Sequence, residues 1–74
     1  MKMLNFRSQV KSATLVLKPH AVKLTRDVND ADDLIQETIL RALTNEDKFQ
    51  QGTNIKAWLF TIMKNIFINE LEKN

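Results

Sequence analysis

The sequence predicts an all-α fold, a compact three-helix bundle with its first helix kinked at Pro19, and three features carry that prediction. Gly52 and Pro19 are the only glycine and proline, so little in the chain interrupts helices. Apolar residues recur at spacings of three and four through most of the length. With 43% hydrophobic and 27% charged residues, the 74-residue chain has globular composition, and residues 1–74 make one small domain.

The first helix is expected from about Phe6 to about Arg26. Val10, Ala13, Leu17, Ala21 and Leu24 stay in phase on one face, with Val28 just beyond. Pro19 removes the hydrogen bond to the Leu15 carbonyl, but it points away from that face. The phase survives the proline, so one bent helix is expected rather than two. The second helix is expected from Ala31 to Thr44. Asp30 is its N-cap, Asp32 and Asp33 lie in its first turn, and residues 27–30 form the turn before it. A polar connection over 45–53 follows. The third helix starts after Thr53 or Asn54, either of which can cap it, and ends near Leu71. It is apolar nearly all round, which predicts a central position between the other two.

Charge is uneven along the chain although its sum is only +2. Asp27, Asp30, Asp32, Asp33 and Glu37 crowd one stretch, whereas residues 48–69 carry Lys48, Lys56 and Lys64 and no acid. That asymmetry suits a basic protein partner on one side and a polyanion on the other, although an ordinary solvated surface also accounts for it. On the second helix Ala31, Leu34, Ile35, Thr38, Ile39 and Ala42 form the core face. Asp33, Gln36, Glu37, Leu40 and Thr44 fall opposite. A leucine ringed by acids and amides is the composition of a small protein-docking surface or of a plain solvated stripe. On the third helix a narrow arc bears Ala57, Thr61, Lys64, Asn65 and Ile68. It continues the loop holding Gln50, Gln51, Gly52, Thr53 and Asn54. Amides and hydroxyls hydrogen-bond base edges, and lysines such as Lys56 and Lys64 neutralise phosphate. The aromatics of this helix read as core rather than as a stacking platform.

Chemistry is nearly absent. There is no cysteine, hence no disulfide, thiolate metal site or thiol nucleophile. His20 is the single histidine, with no second ligand at metal spacing. The Asp30, Asp32 and Asp33 cluster is explained by the helix dipole. No Gly-rich phosphate loop and no nucleophile–base pair is present. The chain reads as a binding module, not an enzyme, with no catalytic residue, metal, cofactor or small-molecule substrate. No segment is apolar enough for a membrane span or signal peptide, so a cytoplasmic location is expected.

The order of residues carries a further signal. Asp30-Ala31-Asp32-Asp33-Leu34-Ile35-Gln36-Glu37-Thr38-Ile39-Leu40-Arg41-Ala42 resembles region 2.2 of bacterial sigma factors, and most of all the extracytoplasmic-function group. Ala57-Trp58-Leu59-Phe60-Thr61-Ile62-Met63-Lys64-Asn65 resembles that group's A-W-L-x-x-I-x-x-N segment. The two blocks stand in order and at the family's spacing, and the likeness covers roughly residues 10 to 72. It implies the region 2 fold and the two tasks of that domain, promoter recognition and melting. Asp33, Gln36, Glu37 and Leu40 would dock on the coiled coil of the β′ subunit of core RNA polymerase. Gln50, Gln51, Thr53, Asn54, Lys56, Thr61, Lys64 and Asn65 would meet promoter DNA, the minus-ten element as a single strand. Asn65 would contribute to the pocket for an unstacked base. An anti-sigma factor is a further implied partner.

Three departures qualify the likeness. Thr61 stands where many members have an arginine. The ending Glu70-Leu71-Glu72-Lys73 is less basic than usual. A region 4 helix-turn-helix has no counterpart in the 74 residues. The competing expectation is a helical interaction module that self-associates through its apolar third helix and has no nucleic-acid role.

Overall fold

The computed structural model describes residues 2–50 and 52–72, with side chains from Phe6 onward. It contains α1 (Lys2–Thr25), α2 (Val28–Thr44), a 3-10 turn (Glu46–Lys48) and α3 (Ile55–Glu72). Among the described residues no helix is long and apolar enough to cross a membrane.

α1 is one helix, unbroken through the exposed Pro19. It starts earlier than expected, at Lys2 rather than Phe6. Phe6 is a buried anchor inside the helix and not its beginning. Val10, Ala13, Leu17 and Ala21 are buried along the expected face, and Leu24 packs against the core edge. The helix stops at Thr25 because Arg26 takes a left-handed conformation, φ 60°, with its N–H donating to the Val22 carbonyl at 2.7 Å.

The beginning of α2 is a correction. Asp27, not Asp30, is the N-cap. Its backbone is extended, and its carboxylate accepts the Asp30 N–H at 3.0 Å. Asp30 therefore sits in the first turn, and Asp32 and Asp33 lie beyond it. Both aspartates are competent caps, and the two-residue connection decides between them. The expected core face is buried at Ala31, Leu34, Thr38 and Ala42, with Ile35 and Ile39 half-buried. Thr38 is fully enclosed, and its hydroxyl donates to the Leu34 carbonyl at 2.7 Å, so no polar atom is stranded there.

α3 is capped by Asn54, whose Oδ1 accepts the N–H groups of Lys56 at 3.0 Å and Ala57 at 3.4 Å. It is not the central helix its apolarity suggested. α1 and α2 share the most extensive interface, and α3 lies across both. Four alanines, Ala13, Ala21, Ala31 and Ala42, are buried on α1 and α2, and small side chains let two helix backbones come close. α3 contributes Leu59, Met63 and Ile66 to the core, with Ile55, Trp58, Phe60, Ile62 and Phe67 packed around them. Only Ile68 and Leu71 of its large apolar residues are exposed. The surface that self-association would need is mostly used inside the bundle.

The cap assignment is testable by thermal melting. Asp27→Ala should cost about 0.5–2 kcal/mol, roughly 4–8 °C in Tm per kcal/mol for a domain this small. Asp30→Ala loses only a dipole contact and should melt closer to wild type. The opposite ranking would put the cap at Asp30.

Candidate protein and nucleic-acid interfaces

The α2 stripe is exposed as the sequence suggested. Asp33, Gln36, Glu37 and Leu40 all face solvent, and Leu40 retains 59% of its accessible surface. Asp32 is not part of the stripe: it points toward α1, where Lys18 Nζ lies 3.3 Å from its carboxylate. Glu37 lies 3.7 Å from Arg41 one turn on, an exposed pair that contributes little to stability.

Tertiary packing makes one edge of this stripe the wall of a groove. A channel of about 660 Å³ runs between the end of α1, α2 and the end of α3. Its apolar floor is Leu24, Leu34, Ile66, Phe67 and Leu71. Asp30, Asp33, Glu37 and Glu70 line its sides, with Thr25 and the single cation Arg26 at the α1 end. Asp30, Glu70 and Leu71 were not singled out for this surface from sequence, because only the folded bundle brings α3 to that edge of α2.

The second surface runs from the loop onto α3. The loop is a turn in which the Gln50 carbonyl accepts the Thr53 hydroxyl at 2.6 Å and the Thr53 N–H at 3.2 Å. Gly52 takes φ 92°, a conformation that L side chains rarely adopt, and open space surrounds it. Thr53, Asn54, Lys56, Thr61, Lys64 and Asn65 are exposed, and so is Gln50. Gln51 lies outside the described residues.

These groups are not equally available. The hydroxyls of Thr53 and Thr61 donate to backbone carbonyls, Thr61 to Ala57 at 3.0 Å, and Asn54 spends its side-chain oxygen on the cap. Lys64 Nζ rests 5.5 Å from the centre of the Phe60 ring. Among the described residues, the side chains of Gln50, Lys56 and Asn65 make no hydrogen bond or ion pair.

Asn65 opens onto a hollow of about 210 Å³ lined also by Arg41, Asn45, Lys48, Trp58 and Ile62. Two cations, two amides and an aromatic wall converge there, with no carboxylate in the lining. Such a set accommodates a flat heterocycle against Trp58, amides at its edge and phosphate beside Arg41 and Lys48. Arg41 and Asn45 were not singled out for this surface from sequence, and Lys48 only for its charge, because they come from the end of α2 and the 3-10 turn rather than from the third helix. Among the described residues no group of three or more His, Asp or Glu side chains is placed to hold a metal ion.

Comparison with known proteins identifies the family. Residues 14–74 match the family model for sigma-70 region 2. The chain is 45% identical over 69 residues to the ECF RNA polymerase sigma factor EcfG of Rhodopseudomonas palustris, covering 93% of this chain and 38% of that protein. It is 39% identical over 56 residues to the ECF RNA polymerase sigma factor SigL of Mycobacterium tuberculosis, covering 74% and 32%. Its fold superposes with a TM-score of 0.85 and 35% identity on the sigma factor RpoE of Bartonella quintana, crystallised in complex with the anti-sigma factor NepR. That match covers 93% of this chain and 43% of the other. The chain belongs to the sigma-70 region 2 family, in its extracytoplasmic-function (ECF) branch. It spans less than half the length of these relatives.

Proposed function

We propose that this domain recognises and helps melt promoters as region 2 of an ECF sigma factor. It docks on the β′ coiled coil of core RNA polymerase through Asp33, Gln36, Glu37 and Leu40. Through Gln50, Gln51, Thr53, Asn54, Lys56, Thr61, Lys64 and Asn65 it holds the minus-ten element as a single strand. It works without catalysis, in the cytoplasm. An anti-sigma factor controls access to it, a reading supported by the NepR complex of the Bartonella relative.

The observation that carries this proposal is the separation of charge across the bundle. A groove with four acids against one cation, Arg26, lies beside the docking stripe, while the hollow at Asn65 has cations, amides and an indole and no acid. The first attracts a basic protein surface and repels DNA; the second attracts a nucleic-acid strand. Within the second surface Asn65 is the base reader, because its amide has no competing partner among the described residues. Thr53 and Thr61 help chiefly by shaping the turn and helix. Arg41 and Lys48 join Lys56 and Lys64 as phosphate contacts. With up to four such contacts, the log–log salt slope for single-stranded DNA should fall at about −2 to −3.

Two experiments test the two surfaces. Glu37→Lys should weaken binding to a β′ coiled-coil fragment by about 2–5 kcal/mol if the charge is desolvated in the complex. The helix should persist, since the Arg41 pair it loses is worth only a few tenths of a kcal/mol. Unchanged affinity with an intact circular dichroism spectrum would make the stripe plain solvent surface. For DNA, single-stranded minus-ten oligonucleotides with each base varied are bound to core polymerase carrying the chain. Asn65→Ala should lose discrimination at one base, whereas Lys64→Ala should weaken all sequences alike. Wild-type preference retained at every position by Asn65→Ala would remove Asn65 from the base site.

A further inference from the structure

Phe6 lies outside the stretch, residues 14–74, that matches the region 2 family model. Yet it is the only buried aromatic side chain among the described residues, 2% exposed. Its ring lies 5.7 Å from Phe49 and 6.0 Å from Trp58, and those two lie 5.0 Å from each other. The three rings close a triangle in tilted and edge-on contacts, the geometry that aromatic quadrupoles favour.

The triangle sits where the nucleic-acid surface is anchored. Phe49 immediately precedes the Gln50–Asn54 turn, and Trp58 lies in the first turn of α3 just after it. Among the described residues no hydrogen bond joins the turn to α1 or α2; its own bonds are internal or run into α3. Apart from its continuity with α3, ring contact from Phe49 is what links it to α1. Trp58 also forms a wall of the hollow that holds Asn65. Phe6 backs both rings from α1.

We propose that Phe6 is a positioning residue for the nucleic-acid surface: its ring fixes the Gln50–Asn54 turn through Phe49 and the wall of the Asn65 hollow through Trp58. The assignment rests on the nucleic-acid reading above. An apolar side chain at this position suffices for a core. A ring is what holds two other rings at fixed angles, and a base site loosened by a fraction of an ångström loses selectivity before it loses fold.

The test uses Phe6→Leu, which keeps apolar burial and removes the ring, with Phe6→Met as a second variant if the first does not fold. Trp58 is the chain's single tryptophan, so its emission reports on the triangle directly. The folded variant should bind the β′ coiled-coil fragment as wild type does. Its tryptophan emission should shift to the red and be quenched more readily by acrylamide. Bound to core polymerase, it should lose about fivefold or more of the base preference at the position Asn65 reads, the lower end of what one base-edge contact pair supplies. A folded variant that keeps the wild-type preference overturns the assignment of Phe6 alone. Absence of any base preference in the wild-type chain overturns the nucleic-acid reading and the assignment with it. Unfolding of both variants would make Phe6 a core residue and nothing more.

Discussion

Two residues, Arg26 and Asp27, connect α1 to α2, and the geometry of everything after them depends on that turn. A connection so short folds α2 back along α1 and fixes its rotation. Left-handed backbone at Arg26 costs about 1–2 kcal/mol. It is offset by a set of local hydrogen bonds: Arg26 N–H to Val22, the Thr25 hydroxyl to the Asp27 carbonyl, Asp30 N–H to the Asp27 carboxylate and Ala31 N–H to the Asp27 carbonyl. At about 0.5–1.5 kcal/mol net each, they outweigh the strain. With the phase of α2 set, Ala31, Leu34, Thr38 and Ala42 turn inward and Asp33, Gln36, Glu37 and Leu40 outward. The same turn brings the end of α2 beside the start of α1, which is why Phe6 and Phe49 meet.

Much of this architecture was legible in the sequence, because periodicity reports burial directly. The inner face of α1 from Val10 to Ala21, the core face of α2 and the exposed arc of α3 all follow from spacing. What spacing does not report is competition between equivalent groups. Asp27 and Asp30 are equally good caps, and only the length of the preceding turn separates them. Apolarity of α3 suggested a central helix, but half-burying Phe60, Ile62 and Phe67 at the bundle margin satisfies the same composition. Hydrogen-bond capacity is also invisible in one dimension: the hydroxyl protons of Thr53 and Thr61 are already donated to Gln50 and Ala57, which leaves these side chains only acceptor capacity.

The likeness to sigma region 2 implies its contacts residue by residue and along single helices. The groove and the hollow are properties of pairs and triples of helices. Glu70 and Leu71 join Asp33 and Glu37 only across the α2–α3 gap. Arg41 on α2, Asn45 just after it and Lys48 in the 3-10 turn meet Asn65 of α3 only in the folded bundle. A family pattern read as a string of contacts therefore understates how many elements build each site.

Charge along the α3-facing edge of α2 gives the domain a direction. Glu37 lines the acidic groove and Arg41, one helical turn later, lines the acid-free hollow, with the pair 3.7 Å apart at the boundary. At that separation, well inside the Debye length of about 8–10 Å at physiological salt, the two charges partly offset each other, so the contrast rests on Asp30, Asp33 and Glu70 in the groove and Lys48 in the hollow. On the proposed reading, a strand is drawn to the hollow and a basic protein surface to the groove. The cationic side is nevertheless weak: Arg41 is partly engaged by Glu37, and Lys64 lies against Phe60. So few phosphate contacts cannot offset the unpairing of a duplex, which costs about 1.4 kcal/mol for each stacked step. On the proposed reading, the domain holds a strand already being exposed, and the energy for opening it comes from the larger assembly.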